Sequence, residues 1–219
     1  MKANRTKKGF TLMELIIVIA IMGILIAILV PAWGYFMRRA HERSANAKAK
    51  VVFNAAQTEA TRMSIRERTY VNTFNTSSNA SEKEAANRNI YMGDGDFYYY
   101  WDGNSGSIVN ASGGNVLNSV SDNAKKTFMQ RADAKFTVAL NGITKGEGVY
   151  KIYIHNYNVQ SVFYTDMATS NYKGAYPVNL DMLEDSGVDV DPIRSADVSS
   201  VDMDNFVLPA SSPAATSPT

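Results

Sequence analysis

Lys7-Lys8-Gly9-Phe10-Thr11-Leu12-Met13-Glu14 runs directly into Leu15 to Val30, LIIVIAIMGILIAILV, and this stretch decides the fold. Leu15 to Val30 contains no polar side chain, and extending it back to Phe10 adds only Thr11 and Glu14. At roughly 1.5 Å per residue, a helix over 10–30 spans about 30 Å, the thickness of a bilayer's hydrocarbon core. Lys2, Arg5, Lys7 and Lys8 precede it without an acid, and a basic head of that kind stays on the cytoplasmic side. The segment is therefore a membrane element or a signal sequence. An ordinary secretory signal places a small-x-small cleavage site after the apolar run. Here Val30-Pro31-Ala32 sets proline beside the bond, and Trp33, Tyr35 and Phe36 follow. Glu14 stands inside the run. An unpaired carboxylate in hydrocarbon costs several kcal/mol, so such a residue marks a functional position. The bland alternative is that Glu14 lies near the membrane surface and snorkels.

A basic leader ending in Gly9, then Phe10-Thr11-Leu12-Met13-Glu14, then an unbroken apolar tail, resembles the class III signal of type IV pilins and pseudopilins. The resemblance covers residues 7–32, with a weaker helical extension to about Arg68. It implies that a membrane-embedded prepilin peptidase cuts after Gly9 and N-methylates the new terminus, Phe10. The mature chain would have 219 − 9 = 210 residues. It implies that Glu14 pairs with the terminal amine of a neighbouring subunit, so that Phe10 and Glu14 form the assembly contact. Ammonium and carboxylate are each costly in an apolar core, and pairing offsets part of both costs. The pair then works as a register device more than as a source of net stability. Gly23 and Pro31 match positions where family helices bend or unwind inside the filament; close helix packing is an equal reading for Gly23. The implied partners are other copies of the chain and other pilins, the prepilin peptidase, an inner-membrane platform and its assembly ATPase. The chain would sit in the cytoplasmic membrane as a single-pass protein before assembly, and in an extracellular filament afterwards.

Beyond the apolar run the chain stays helix-friendly to about Arg68. Ala45, Ala49, Val52, Ala56, Ala60 and Met63 recur at helical spacing, one apolar stripe of mostly small residues that lets a sheet or a helix approach closely. Arg38, Arg39, Arg43, Lys48, Lys50, Arg62, Arg66 and Arg68 surround it, opposed only by Glu42, Glu59 and Glu67. That basic excess is a solvated face or the complement of an acidic surface on the next subunit.

After Arg68 the composition turns to Asn, Ser, Thr, Gly and Tyr. Residues 72–80 read as a loop, and Ser81 to Tyr91 as a short helix with a capping box at Ser81 and Glu84. Phe97 to Trp101, closed by Asp102-Gly103, reads as a strand entering a turn, with another strand at 107–109. Residues 122–134 read as helical. Phe136 to Leu140 before Asn141-Gly142 suggests a hairpin. Val149 to Ile154 and Val159 to Tyr164 suggest a second one, around His155-Asn156-Tyr157-Asn158. The expected fold is α+β, type IV pilin-like, a long N-terminal helix against a small antiparallel sheet. Its parts are a leader at 1–9, a transmembrane and filament-core half-helix at 10–31, an amphipathic half at 32–68, an α+β head at 69–206 and a disordered Pro/Ser/Thr tail at 207–219.

From Asp181 to Asp204 there are eight acids and one base, Arg194. Asp189, Asp191, Asp202 and Asp204 form Asp-x-Asp pairs. They read as a solvated acidic loop, with structural calcium as the weaker alternative. No other cofactor is expected.

The chain has 219 residues, 45% hydrophobic and 20% charged, and a net charge of +1. The leader contributes +4, leaving 22 − 4 = 18 basic residues against 21 acids. Near neutrality argues against nucleic acid as the main partner. The chain has no cysteine, which excludes a thiolate site, a cysteine nucleophile and the C-terminal disulfide of many pilins. Such a loop must be held another way, and the absence hints at a monoderm host. His41 and His155 read as exposed helix and hairpin residues. No nucleophile elbow, Walker loop or dinucleotide fingerprint appears, so no enzyme is expected. The leading function is a structural subunit of a type IV pilus-like filament. The alternatives are a pseudopilin of type II secretion or competence DNA uptake, and a membrane-anchored adhesin or carbohydrate-binding module using the aromatics of 97–101.

Overall fold

The computed structural model describes residues 10–74, 78–81, 83, 92, 95–117, 121 and 123–209. The leader, most of the helix expected at 81–91 and the tail beyond Pro209 lie outside the described residues. The chain forms two compact units, Met1–Ala40 and His41–Thr219. Helix α1, Leu12–Phe74, contributes to both.

In the first unit α1 continues through Gly23 and Pro31. No atom lies within 4 Å of the place a Cβ on Gly23 would occupy, so in the single chain that glycine packs against nothing. The apolar side chains from Leu12 to Val30 are exposed.

The second unit is built on a five-stranded antiparallel sheet: β1 (Asp96–Trp101), β2 (Gly106–Val109), β3 (Val149–His155), β4 (Asn158–Thr165) and β5 (Lys173–Tyr176), in the order β2-β1-β3-β4-β5. Strict alternation in β1 sends Phe97, Tyr99 and Trp101 to one face and leaves the half-buried Tyr98 and Tyr100 on the other. The β3–β4 turn places Asn156 and Tyr157 at φ 48° and 65°, the two left-handed residues that a tight hairpin twist requires.

One face is covered by the second part of α1 and by α2 (Asn123–Thr144). Ala45, Ala49, Val52, Ala56, Ala60 and Met63 are all buried in the core beneath them. Their small size is used: a Cβ on Gly174 in β5 would overlap the backbone of Ala45 and Asn46. Strand and helix backbones meet there. Two helix amides hold the sheet. Asn46 Oδ1 accepts from Ala175 N at 2.9 Å, and Gln57 Oε1 accepts from Val159 N at 2.7 Å. Trp101, Tyr150 and Tyr164 stack in a row across β1, β3 and β4, with centroids 6.3 and 6.2 Å apart, the cross-strand pairing that stabilises sheets.

The other face is covered by the C-terminal segment, which carries α3 (Leu180–Asp185), α4 (Asp191–Ser195) and a 3-10 turn at Met203–Phe206. Leu180, Leu183, Val190, Val198, Val201, Met203 and Phe206 form a second core with Val149, Phe163 and Ala175.

Three readings change. Helix α1 ends at Phe74 rather than near Arg68, because residues 69–74 contain neither Pro nor Gly to stop it. The hairpin expected at Asn141-Gly142 is the last part of α2. Ala132, Phe136 and Leu140, four apart, are buried while Val138 is 76% exposed; a strand would have put Phe136, Val138 and Leu140 on one face. The turn falls later, at Lys145 and Gly146, with φ 53° and 77°. Finally, the acidic stretch 181–204 is a folded layer with its own apolar core, not a loop.

Candidate functional site

The first candidate site lies at the start of α1. Its helix begins at Leu12 because Thr11 caps it. Thr11 Oγ1 accepts from Glu14 N at 3.3 Å, while Thr11 N and Oγ1 donate to Glu14 Oε2 at 2.9 and 2.8 Å. This is a reciprocal capping box, in which two otherwise unpaired helix-end groups satisfy each other. The Thr-x-x-Glu spacing is its signal in the sequence, overshadowed there by the reading of Glu14 as an intramembrane acid. The geometry fixes Glu14 on the first turn with one carboxylate oxygen, Oε2, taking both Thr11 donors. The structure places Phe10 immediately outside the helix and 83% exposed. Gly9, the expected cleavage residue, lies outside the described residues. Past the apolar run, Arg38 and Arg39 sit 5.6 and 5.2 Å from the Tyr35 ring. Trp33, Tyr35 and Phe36 are exposed. Aromatic rings followed by cations are the composition of a membrane–water boundary.

The second is a set of buried cations that ties the C-terminal segment to the sheet and, through Glu42, to α1; no sequence spacing announced it. Arg194 and Glu42 are 7% and 2% exposed. Arg194 Nε meets Glu42 Oε1 at 2.9 Å, Nη2 meets Glu184 Oε2 at 3.2 Å and Nη1 meets Asp191 Oδ1 at 3.1 Å. Burial disfavours the charge, but the three carboxylates outweigh it and hold the guanidinium protonated. Lys151, fully buried, donates to Ala111 O at 2.6 Å and Val201 O at 3.0 Å. Burial pushes its ammonium down to about 8. Lys173, also buried, donates to Ala196 O, and burial lowers its pKa too. Each of these cations fixes a different part of segment 177–209. Together they hold a C-terminal segment that has no disulfide to hold it.

The Asp-x-Asp pairs serve the backbone. Asp189 Oδ1 accepts from Asp191 N, and Asp202 Oδ1 from Asp204 N, each at 3.1 Å. Among the described residues no three His, Cys, Asp or Glu side chains gather as metal ligands. His155 is exposed at the β3–β4 turn, where its Nδ1 lies 2.9 Å from Asp96 Oδ1; His41 is exposed and stacked on Tyr172 at 4.6 Å. The aromatic run 97–101 is spent on the core: Phe97, Tyr99 and Trp101 are buried under α1 and α2, and Tyr98 stacks on Tyr153 at 4.8 Å.

Residues 4–30 match the family model of the prokaryotic N-terminal methylation motif. No curated protein and no solved structure matches the chain. The chain thus carries the signature of type IV pilins and pseudopilins, and its long N-terminal helix with a small antiparallel sheet is an α+β layout like that of type IV pilins. The motif and the apolar helix fit a membrane-anchored precursor of that structural family.

Proposed function

We propose that this chain is the structural subunit of a type IV pilus-like filament. Cleavage after Gly9 and methylation of Phe10 precede extraction from the membrane. The observation that carries the proposal is the methylation motif at 4–30 running into a helix whose apolar side chains are exposed. An exposed stripe of that length needs lipid before assembly and neighbouring helices afterwards. Glu14 then accepts the Phe10 amine of a neighbour. The Thr11 donors occupy Oε2 alone, which leaves Oε1 for an incoming ammonium.

Mass spectrometry of the mature chain should find N-methyl-Phe10; an intact Met1, or a cut after Ala32, overturns the reading. Glu14→Ala should be processed normally yet give no filaments by electron microscopy. Filament length separates a surface pilus from the short pseudopilus of a secretion or DNA-uptake machine, since both share the motif.

A further inference from the structure

We infer that the exposed face of α1 beyond His41 is a docking surface for a second copy of this chain, through that copy's C-terminal layer. This rests on the filament reading and gives it a second contact, outside the apolar segment and independent of Glu14.

The two outer faces of the second unit have opposite chemistry. Between His41 and Glu67, the exposed positions of α1 include Arg43, Lys50, Arg62 and Arg66 and no carboxylate. Glu42 is buried on Arg194, and Glu59 is engaged by Arg62. Arg43, Ala47, Lys50, Asn54, Thr58 and Thr61 succeed one another three or four residues apart and are all exposed. Cations, a methyl group and short polar side chains therefore share one outward stripe, low enough for another surface to approach. On the far side of the sheet, Asp185, Asp189, Asp197, Asp202 and Asp204 are exposed in the segment 177–209, where no exposed Lys or Arg occurs. Its one cation, Arg194, is turned inward. Met182 and Val188, 53% and 42% exposed, put apolar contacts among those acids. On α1, Val51 is 52% exposed beside Lys50.

The consequence follows from symmetry. Each face repels itself and attracts the other, so a two-fold contact that buries one face against its own copy is disfavoured. A contact between unlike faces is heterologous, and heterologous contacts that do not close into rings propagate into helical filaments. The charge pattern thus favours stacking and disfavours a closed dimer.

The native chain lacks cysteine, which makes the test clean. Full-length protein carrying Lys50→Cys and Asp189→Cys together should give, after oxidation of assembled filaments, a ladder of covalent multimers on a non-reducing gel. Each single variant should stay monomeric. Covalent dimers from Lys50→Cys alone would show like faces meeting and overturn the inference. Independently, the double reversal Arg43→Glu, Lys50→Glu should lower filament yield about tenfold or more at an unchanged membrane level of precursor. Adding Asp185→Lys and Asp204→Lys, whose exposed carboxylates cap no backbone group among the described residues, should restore it. Unchanged yield in the first reversal, or no rescue in the combination, also overturns the inference. If the unmodified chain gives no filaments, the proposed function itself fails; filaments indifferent to these changes sink only this second contact.

Discussion

The two faces of the sheet are held by different physics. On the α1 side, backbones approach through small residues, Gly174 against Ala45, and the interior is apolar and aromatic. On the C-terminal side, a thinner apolar layer is supplemented by Arg194, Lys151 and Lys173, each buried and each tied to an anion or a carbonyl. The first face fails when volume is added. The second fails when one member of a charged set is removed. A buried pair adds little net stability over a hydrophobic replacement, yet breaking it is costly. The C-terminal layer therefore gains position rather than strength from its cations.

That contrast can be broken most strongly at Arg194. Arg194→Ala leaves Glu42 buried without its guanidinium and should cost about 3–5 kcal/mol, read by denaturant unfolding of the detergent-solubilised chain. Combining it with Glu42→Met should recover most of the loss; no recovery would show that Arg194 acts through packing alone. Next is Gly174→Ala, whose methyl would overlap α1 backbone. It should cost about 1–3 kcal/mol by overpacking, and no charge change should rescue it. A neutral result would mean that strand and helix are free to part.

The smallest effect is a pH dependence. Lys151 has its pKa lowered from 10.5 in the open chain to about 8 in the folded one, so between those values the unfolded chain binds more protons. Stability should therefore rise with pH from about 8 to about 10.5 as the buried charge is relieved, by about 1–2 kcal/mol after allowance for residual solvent screening. Lys151→Met should abolish that rise, while the carbonyls of Ala111 and Val201 lose their donor and basal stability falls by about 1–3 kcal/mol. A flat profile in the native chain would show the ammonium well solvated.

Much of this was legible in the chain. Strands β1, β3 and β4 follow from their aromatic and β-branched composition, although β3 and β4 are buried on both faces; the stripe from Ala45 to Met63 follows from helical periodicity. The hairpin expected at 136–143 fails for the same reason. Asn-Gly is a local signal, and the four-residue spacing of Ala132, Phe136 and Leu140 overrides it. β5 is four residues long and shows no alternation worth reading. Segment 181–204 looked solvated because its acids are exposed; its core residues are interleaved with them at no regular period.

By itself the sequence determined the N-terminal half of the story. A contiguous apolar run, its basic head and the placed Glu14 act through composition and local spacing, which need no fold to be interpreted. Only the tertiary structure decided how the C-terminal segment is held. Arg194 meets Glu42 across 152 positions, and Lys151 reaches carbonyls 40 and 50 positions away. Whether a charge is solvated or buried with a partner depends on what the chain brings to it from a distance, and residue type alone carries no record of that.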